Sequence, residues 1–156
     1  MTSDIKKEYN KIVRHMENDV FHSNQETSNQ QLDRIGAQLF GSQWGGVYAE
    51  DEDIKINKNK MYYIVNTDKQ NQAGTHWVGL YFDHTHNKLY VFDTFDRQIS
   101  KLLHDVEVDA KGKHFKVNKG SHMIEQADKQ NDCGQRSMSW LQIVKKYGIN
   151  KVKKAL

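Results

Sequence analysis

Residues 76–95 read HWVGLYFDHTHNKLYVFDTF, and the architecture expected for the whole chain starts from them. Two runs within them, 77–83 and 88–93, are rich in aromatic and β-branched residues, which favour β-strands. Polar residues that are typical of turns separate the two runs. We therefore predict an antiparallel β-hairpin with its turn at residues 83–86.

The register of this hairpin leads to a prediction about chemistry. If Asp83 pairs with His86 across the turn, His76 lies opposite Asp93. A carboxylate beside an imidazole fixes its tautomer and stabilises the imidazolium. His76 and Asp93 are thus a candidate base and orienting acid, and an ion pair at the sheet edge is the alternative. The same register groups four apolar residues on one face: Val78, Leu80, Leu89 and Val91.

Cys133 is the single cysteine of the chain, and it stands at the start of a predicted helix. Asn131 or Asp132 can cap this helix, and Gly148 can end it. A helix N-terminus lowers the pKa of a thiol and so favours the nucleophilic thiolate. Cys133 is therefore a candidate nucleophile, and an inert buried cysteine is the alternative. The apolar stripe of the helix contains Met138, Leu141, Val144 and Tyr147.

Gln126 is a candidate for stabilising an oxyanion. It stands seven residues before Cys133, and its side-chain amide can add a second donor to the Cys133 N–H. Gln130 is too close to Cys133 to turn back over the same atom. A polar loop residue in water is the alternative for both glutamines.

Hydrophobic periodicity and turn residues predict the remaining elements. Ser28 and Gln31 have capping-box spacing ahead of a short helix that ends at Gly41. Residues 41–60 are predicted to be loop or irregular. Helices and strands without strict alternation indicate an α+β fold. The other helices are expected at 4–20 and 96–106, and the other strands at 61–66, 114–118 and 123–126.

Composition limits the class of protein. The 156 residues fit a single domain, and the net charge of +3 is a mild excess rather than a nucleic-acid-binding signature. No apolar run is long enough to cross a bilayer. A lone cysteine cannot form an internal disulfide, so we expect a protein of a reducing compartment. His84 and His86 have a metal-like spacing but fall in the predicted turn, so no metal site is expected.

Three motifs resemble the adenain family, the adenovirus maturation proteases. They are Gly-Thr-His-Trp at 74–77, Tyr-Val-Phe-Asp-Thr-Phe at 90–95, and Gln126 with Asp-Cys-Gly at 132–134. The order His, acid, Gln, Cys is that of the family and the reverse of papain. The resemblance extends over roughly residues 28–145.

The resemblance implies a papain-like or adenain-like cysteine protease fold, in which a central helix carrying Cys133 packs on a mixed sheet. It implies a viral cysteine endopeptidase that cleaves capsid and other virion precursors, with His76, Asp93 and Cys133 catalytic. Gln126 and the Cys133 N–H would form the oxyanion hole, without a cofactor. The enzyme would act in the virion and the host-cell interior, in cytoplasm or nucleus, and not at a membrane. Short relatives also occur in virophages and Polinton-type elements, and this chain is compact enough to be one.

Two departures from the family qualify these expectations. Adenain is activated by a peptide through a disulfide to a second cysteine, which this chain lacks. Adenain also uses DNA as a cofactor, and DNA is a candidate activator here. A solvated helix face is favoured over a DNA contact for the concentrated basic segment of Lys145, Lys146, Lys151, Lys153 and Lys154.

Residues 1–27 have no family counterpart, so we predict one domain (1–156) with an N-terminal helical extension (1–27) and a catalytic core (28–156).

Two other functions stay open at this level. SUMO-specific proteases also show His-Trp and Asp-Cys-Gly, so cleavage of ubiquitin or SUMO conjugates is one alternative, although the spacing from Gln126 to Cys133 is more similar to adenain. The other alternative is a non-catalytic nucleic-acid-binding or scaffolding protein on the same fold.

Overall fold

A computed structural model of the chain describes residues 2–20, 28–67, 76–94, 98–99, 103–121 and 133–156. Within these ranges, five α-helices surround a five-stranded mixed sheet, which confirms the α+β prediction. The helices are α1 (Thr2–His15), α2 (Asn29–Phe40), α3 (His104–Gly112), α4 (Cys133–Tyr147) and α5 (Ile149–Ala155). The strands are β1 (Trp44–Ala49), β2 (Tyr62–Asn66), β3 (Trp77–Asp83), β4 (Lys88–Phe92) and β5 (Lys116–Lys119).

The strands lie in the sheet in chain order. The outer pairs, β1 with β2 and β4 with β5, are parallel, whereas β3 is antiparallel to both of its neighbours. Each face of the sheet has its own hydrophobic cluster, one shared with α1, α2, α4 and α5 and the other with α3. On the first face Trp140 of α4 stacks on Phe92 of β4, with ring centroids 5.2 Å apart. Helix α4 is thereby held against the centre of the sheet.

The N-terminal helix α1 is part of the main core. The helix predicted for residues 4–20 is confirmed: α1 runs from Thr2 to His15, and Met16–Val20 continue it as a π-helical turn. Its buried side chains share one cluster with α4 and α5; they are Ile5, Tyr9, Val13 and Met16. The division into an extension (1–27) and a core (28–156) stays a prediction, and α1 packs as an integral part of the fold.

Helix α2 begins with the predicted capping box. The Gln31 N–H donates to Ser28 Oγ (3.1 Å), and the Ser28 N–H donates to Gln31 Oε1 (3.0 Å). Two N–H groups at the helix start are thus satisfied. The helix ends at Phe40, directly before Gly41, as predicted.

The hairpin of β3 and β4 forms as predicted, but its predicted register is wrong by two residues. Asp83 pairs with Lys88 instead of His86. The turn is longer than expected because Asn87 adopts a left-handed conformation (φ 53°) and the Asp83 carboxylate accepts the His86 N–H (3.3 Å). A shift of two residues keeps every side chain on its predicted face. His76 is therefore a diagonal neighbour of Asp93 rather than its direct partner.

The prediction of a loop over residues 41–60 is wrong for its first part, because β1 occupies Trp44–Ala49. A Cβ on Gly45 would lie 2.2 Å from the Tyr63 ring, so Tyr63 covers this glycine. Gly46 has φ +114°, and the register of β1 on β2 shifts between Trp44 and Gly46. These two glycines therefore lie in a bulged parallel edge strand within the segment that was predicted to be a loop.

The segment after β4 also differs from expectation. Helix α3 begins at His104 and ends at Gly112, later than the predicted helix at 96–106, of which residues 96–97 and 100–102 lie outside the described residues. Its buried residues are Val106 and Ala110, so the buried face continues past residue 106, where the predicted helix ends. Strand β5 begins at Lys116 because His114 turns the chain with φ 69°.

The last predicted helix is confirmed as α4, which runs from Cys133 to Tyr147 and stops before Gly148. The strand predicted at 123–126 and the caps Asn131 and Asp132 lie outside the described residues. None of the helices in the described ranges has the length and apolar character required to span a bilayer.

Candidate active site

His76 and Asp93 are in contact at one end of the neighbouring inner strands β3 and β4. His76 directly precedes β3, and Asp93 directly follows β4. The His76 Nε2 lies 2.8 Å from Asp93 Oδ1, and the two residues are only 8% and 5% exposed. The pairing predicted from the hairpin is thus present, although the register that led to it was shifted. A diagonal pair on one face is within reach of a long side chain such as histidine.

Cys133 is the first residue of α4 and is 1% exposed. The backbone N–H of Trp77 donates to Cys133 Sγ at 3.4 Å. Because Trp77 follows His76 directly in the chain, the thiol lies beside the residue that carries the imidazole. Three predicted site residues, separated by up to 57 positions in sequence, therefore converge at the N-terminus of α4.

Helix α4 provides a favourable electrostatic position for a thiolate. The first N–H groups of an α-helix have no partner within the helix, and they carry a partial positive charge. A cysteine at this end is stabilised in its charged form. Gly134, the next residue, is also buried. The predicted oxyanion donor Gln126, together with Gln130 and Asp132, lies outside the described residues, and its role rests on the sequence.

A sequence profile of the adenovirus endoprotease family matches residues 46–154 of this chain. The chain belongs to the adenovirus endoprotease family. A search of curated proteins found no match. The match runs from within β1 to α5, so α1 and α2 precede it. It starts later in the chain than the resemblance expected at 28–145, and it extends further toward the C-terminus.

In this adenovirus endoprotease-family chain, two residues near the site were not anticipated from the sequence. The Asn29 side chain accepts a hydrogen bond from the Trp77 indole N–H (2.7 Å). The Ser137 hydroxyl donates to the Trp77 carbonyl (3.1 Å) and is buried. A signal for Ser137 exists, because it stands one helical turn after Cys133 and shares its face. No local signal marks Asn29.

The two histidines of the predicted turn have protein partners. His84 Nε2 lies 2.7 Å from the carbonyl oxygen of Lys60, and His86 Nδ1 lies 2.8 Å from Asp83 Oδ2. Over the part of the chain that the structure describes, no group of three or more His, Cys, Asp or Glu side chains could hold a metal ion.

A shallow groove of about 380 Å³ lies between the start of α2 and β1. Gly46 of the edge strand β1 lines this groove. Asp33, another lining residue, accepts a hydrogen bond from the Trp44 indole N–H (2.9 Å). Asn29, the acceptor for Trp77, lines the same groove, which therefore adjoins the residue next to His76. The lining residues are Asn29, Gln30, Asp33, Gly46, Val47 and Tyr48.

Proposed function

We propose that this protein is a cysteine endopeptidase that cleaves capsid and other virion precursor proteins during particle maturation. In this proposal Cys133 is the nucleophile, His76 the general base and acid, and Asp93 the orienting carboxylate. One observation carries it: the His76–Asp93 contact of 2.8 Å lies beside a thiol that accepts a hydrogen bond from the next residue, Trp77. Membership of the adenovirus endoprotease family supports the substrate class.

The path of the proton follows from which ring nitrogen of His76 contacts Asp93. Asp93 contacts Nε2, so a proton on Nε2 is stabilised by the carboxylate and Nδ1 is the basic nitrogen. His76 then takes the thiol proton at Nδ1, and the resulting imidazolium is stabilised by Asp93 at close range. Because both residues are buried, water screens this interaction weakly. The thiolate attacks the scissile carbonyl carbon.

The tetrahedral oxyanion requires donors aimed at the developing charge. The Cys133 N–H belongs to the first turn of α4, where the helix dipole places partial positive charge. The Gln126 side chain is proposed as the second donor. Protonated His76 then donates to the leaving amine, and water hydrolyses the thioester through a second oxyanion.

The contacts of the C-terminal lysines give little support for a DNA-binding surface on α4 and α5. Of the five C-terminal lysines, three are engaged within the protein. Lys145 donates to the Leu39 carbonyl, Lys146 pairs with Glu8, and Lys153 lies over the Tyr90 ring. These contacts favour the interpretation of a solvated helix face over that of a DNA contact.

The first prediction concerns the nucleophile. We expect Cys133→Ala to lower cleavage of a co-expressed capsid precursor by at least about 10³-fold, because the thiolate is lost. Mass spectrometry of the precursor measures the new termini, which also give the cleavage site. Ser139→Ala is the matched control: Ser139 is buried on the same helix, and its hydroxyl donates to the Gln135 carbonyl of that helix (2.7 Å).

Unchanged processing by a folded Cys133→Ala protein contradicts the proposal. The alternatives are separated by substrate. Release from a fluorogenic ubiquitin or SUMO substrate, with none from the capsid precursor, would indicate a deconjugating protease. No cleavage of either substrate, with a Cys133 no more reactive toward iodoacetamide than a free thiol, would indicate a non-catalytic protein.

A further inference from the structure

Trp77 is fixed at three points, and each point is on a different part of the residue. Its N–H donates to Cys133 Sγ (3.4 Å), and its carbonyl accepts from Ser137 Oγ (3.1 Å). Its indole N–H donates to Asn29 Oδ1 (2.7 Å). The side chain is almost fully buried. Helix α4 thus holds the main chain of Trp77, and helix α2 holds its side chain.

The contact to sulfur is the one with chemical consequence. A hydrogen bond donated to a thiolate favours the charged form of the cysteine. The N–H of Trp77 points at the sulfur only while the peptide group before Trp77 keeps its orientation. An indole ring that is fixed at its far end restricts the rotation of the residue to which it is attached. The carbonyl of this peptide group also accepts the Thr67 N–H (2.9 Å), so the acceptor on α2 adds a second restraint to a donor that the sheet already holds.

Asn29 is suited to this task because its own position is fixed by the helix start. It is the first residue of α2, between the two capping-box residues Ser28 and Gln31. Its Oδ1 also lies 3.4 Å from Asn66 Nδ2, and Asn66 is the β2 residue paired with Trp77 across the sheet. One oxygen thus contacts both members of this cross-strand pair. The residues matched by the family profile begin after Asn29.

We propose that Asn29 is a positioning residue, which orients the Trp77 N–H toward Cys133 and so favours the thiolate. This inference rests on the proposed function. Within the described ranges, the Asn29 side chain bonds to Trp77 and Asn66 rather than to the reacting groups. The path runs from the capping box to Asn29, from Asn29 to the indole of Trp77, and from the Trp77 N–H to the sulfur.

The test measures the pH dependence of Cys133 alkylation by iodoacetamide, with kcat and KM on a cleaved precursor peptide. We expect Asn29→Ala to move the midpoint of alkylation to higher pH and to lower kcat about tenfold, with KM changed less than about twofold. Asn29→Asp keeps an acceptor oxygen and restores most of both properties. Gln30→Ala is the matched control, because Gln30 is exposed, lies on the same helical turn and lines the same groove.

A second variant separates positioning from general stability. Trp77→Phe keeps a ring but removes the indole N–H, so it should reproduce the effect of Asn29→Ala, and combining the two should add less than about twofold. An alkylation profile and kcat of Asn29→Ala equal to wild type would overturn the inference, as would full additivity with Trp77→Phe. If Asn29→Ala does not fold, Trp77→Phe with wild-type alkylation overturns it in the same way. Failure of the proposed function would be seen separately, as cleavage by Cys133→Ala.

Discussion

Two aspartates hold a histidine at the same distance in this protein, and their surroundings differ. Asp93 contacts His76 at 2.8 Å inside the protein, whereas Asp83 contacts His86 at 2.8 Å in the turn, where the His86 side chain is 66% exposed. Water screens the exposed pair strongly, so it contributes little to stability or orientation. The buried pair retains most of its interaction because the local dielectric constant is low. The same two residue types therefore interact strongly at the buried position and weakly at the exposed one.

We predict that Asp93→Asn lowers kcat by about 10²-fold or more, because an amide does not stabilise the His76 imidazolium and can favour the wrong tautomer. Steady-state kinetics on a cleaved precursor peptide measures the effect. Asp83→Asn serves as the control, because it removes the same charge from the exposed pair; its kcat should stay within about twofold of wild type. Equal effects of the two substitutions would show that Asp93 has no special role.

At the level of single residues, the sequence indicated which side chains carry out the chemistry but not which residues hold them in position. His76, Asp93 and Cys133 were identified because their types and their places at element ends suit the same reaction. Asn29 was not identified, since a polar residue in the first turn of a helix is common and its partner, Trp77, is 48 positions away. A hydrogen bond between such distant residues has no local pattern.

At the level of elements, α1 is joined to α4 by polar contacts beside its apolar stripe. The Glu8 carboxylate pairs with Lys146 and accepts a hydrogen bond from the Tyr147 hydroxyl. The hydrogen bonds from Lys146 and then Tyr147 hold the pKa of Glu8 below its ordinary value. This contribution to stability is full above the ordinary pKa of a glutamate and is lost as the pH falls through the lowered value of the folded protein.

We therefore predict that Glu8→Gln lowers the Tm by about 2 °C at pH 7, and that the difference from wild type becomes smaller as the pH is lowered to 3. Thermal unfolding followed by circular dichroism at both pH values measures this. Glu107→Gln is the control, because Glu107 pairs with Lys111 within α3 alone and its loss should change the Tm less. A Tm difference for Glu8→Gln that persists unchanged at pH 3 would contradict the electrostatic explanation.

Most helices and strands were predicted from the sequence, but one strand was missed and one register was wrong. Helices α1, α2 and α4 and strands β2, β3 and β4 follow from periodicity, because each buries one face with a regular repeat. Strand β1 was missed because its pairing depends on Tyr63 covering Gly45, a contact between different strands. The hairpin register was wrong because the left-handed conformation of Asn87 lengthened the turn.

At the level of the whole molecule, charge is distributed unevenly. Acidic side chains of two segments meet in a hollow of about 290 Å³ beside α3. Its acidic lining consists of Asp51, Glu52, Asp53, Asp105 and Asp109. The C-terminal lysines lie on α4 and α5, which pack on the opposite face of the sheet from α3. A polyanion such as DNA is therefore expected to contact the side of the sheet that carries α4 and α5, if it binds at all.

We predict that the double variant Lys151→Glu/Lys154→Glu keeps the DNA affinity and the precursor cleavage rate of wild type within about twofold, as expected for a solvated helix face. Fluorescence anisotropy with a labelled duplex at several salt concentrations measures the affinity. Lys58→Glu, at an exposed position far from this pair in sequence, is the control for a charge change. A fall in affinity with a salt slope reduced by about two would instead identify Lys151 and Lys154 as DNA contacts.

Local patterns in the sequence were sufficient for the α+β class, for most helices and strands, and for the residue types of the site. These features depend on side-chain periodicity, capping and chemistry within a short window. The approach of Cys133 to the His76–Asp93 pair, the strand at Trp44–Ala49 and the support of Trp77 by Asn29 required the folded chain. Each of these features depends on packing between segments that are far apart in sequence, and the free energy of such packing is not encoded in any one segment alone.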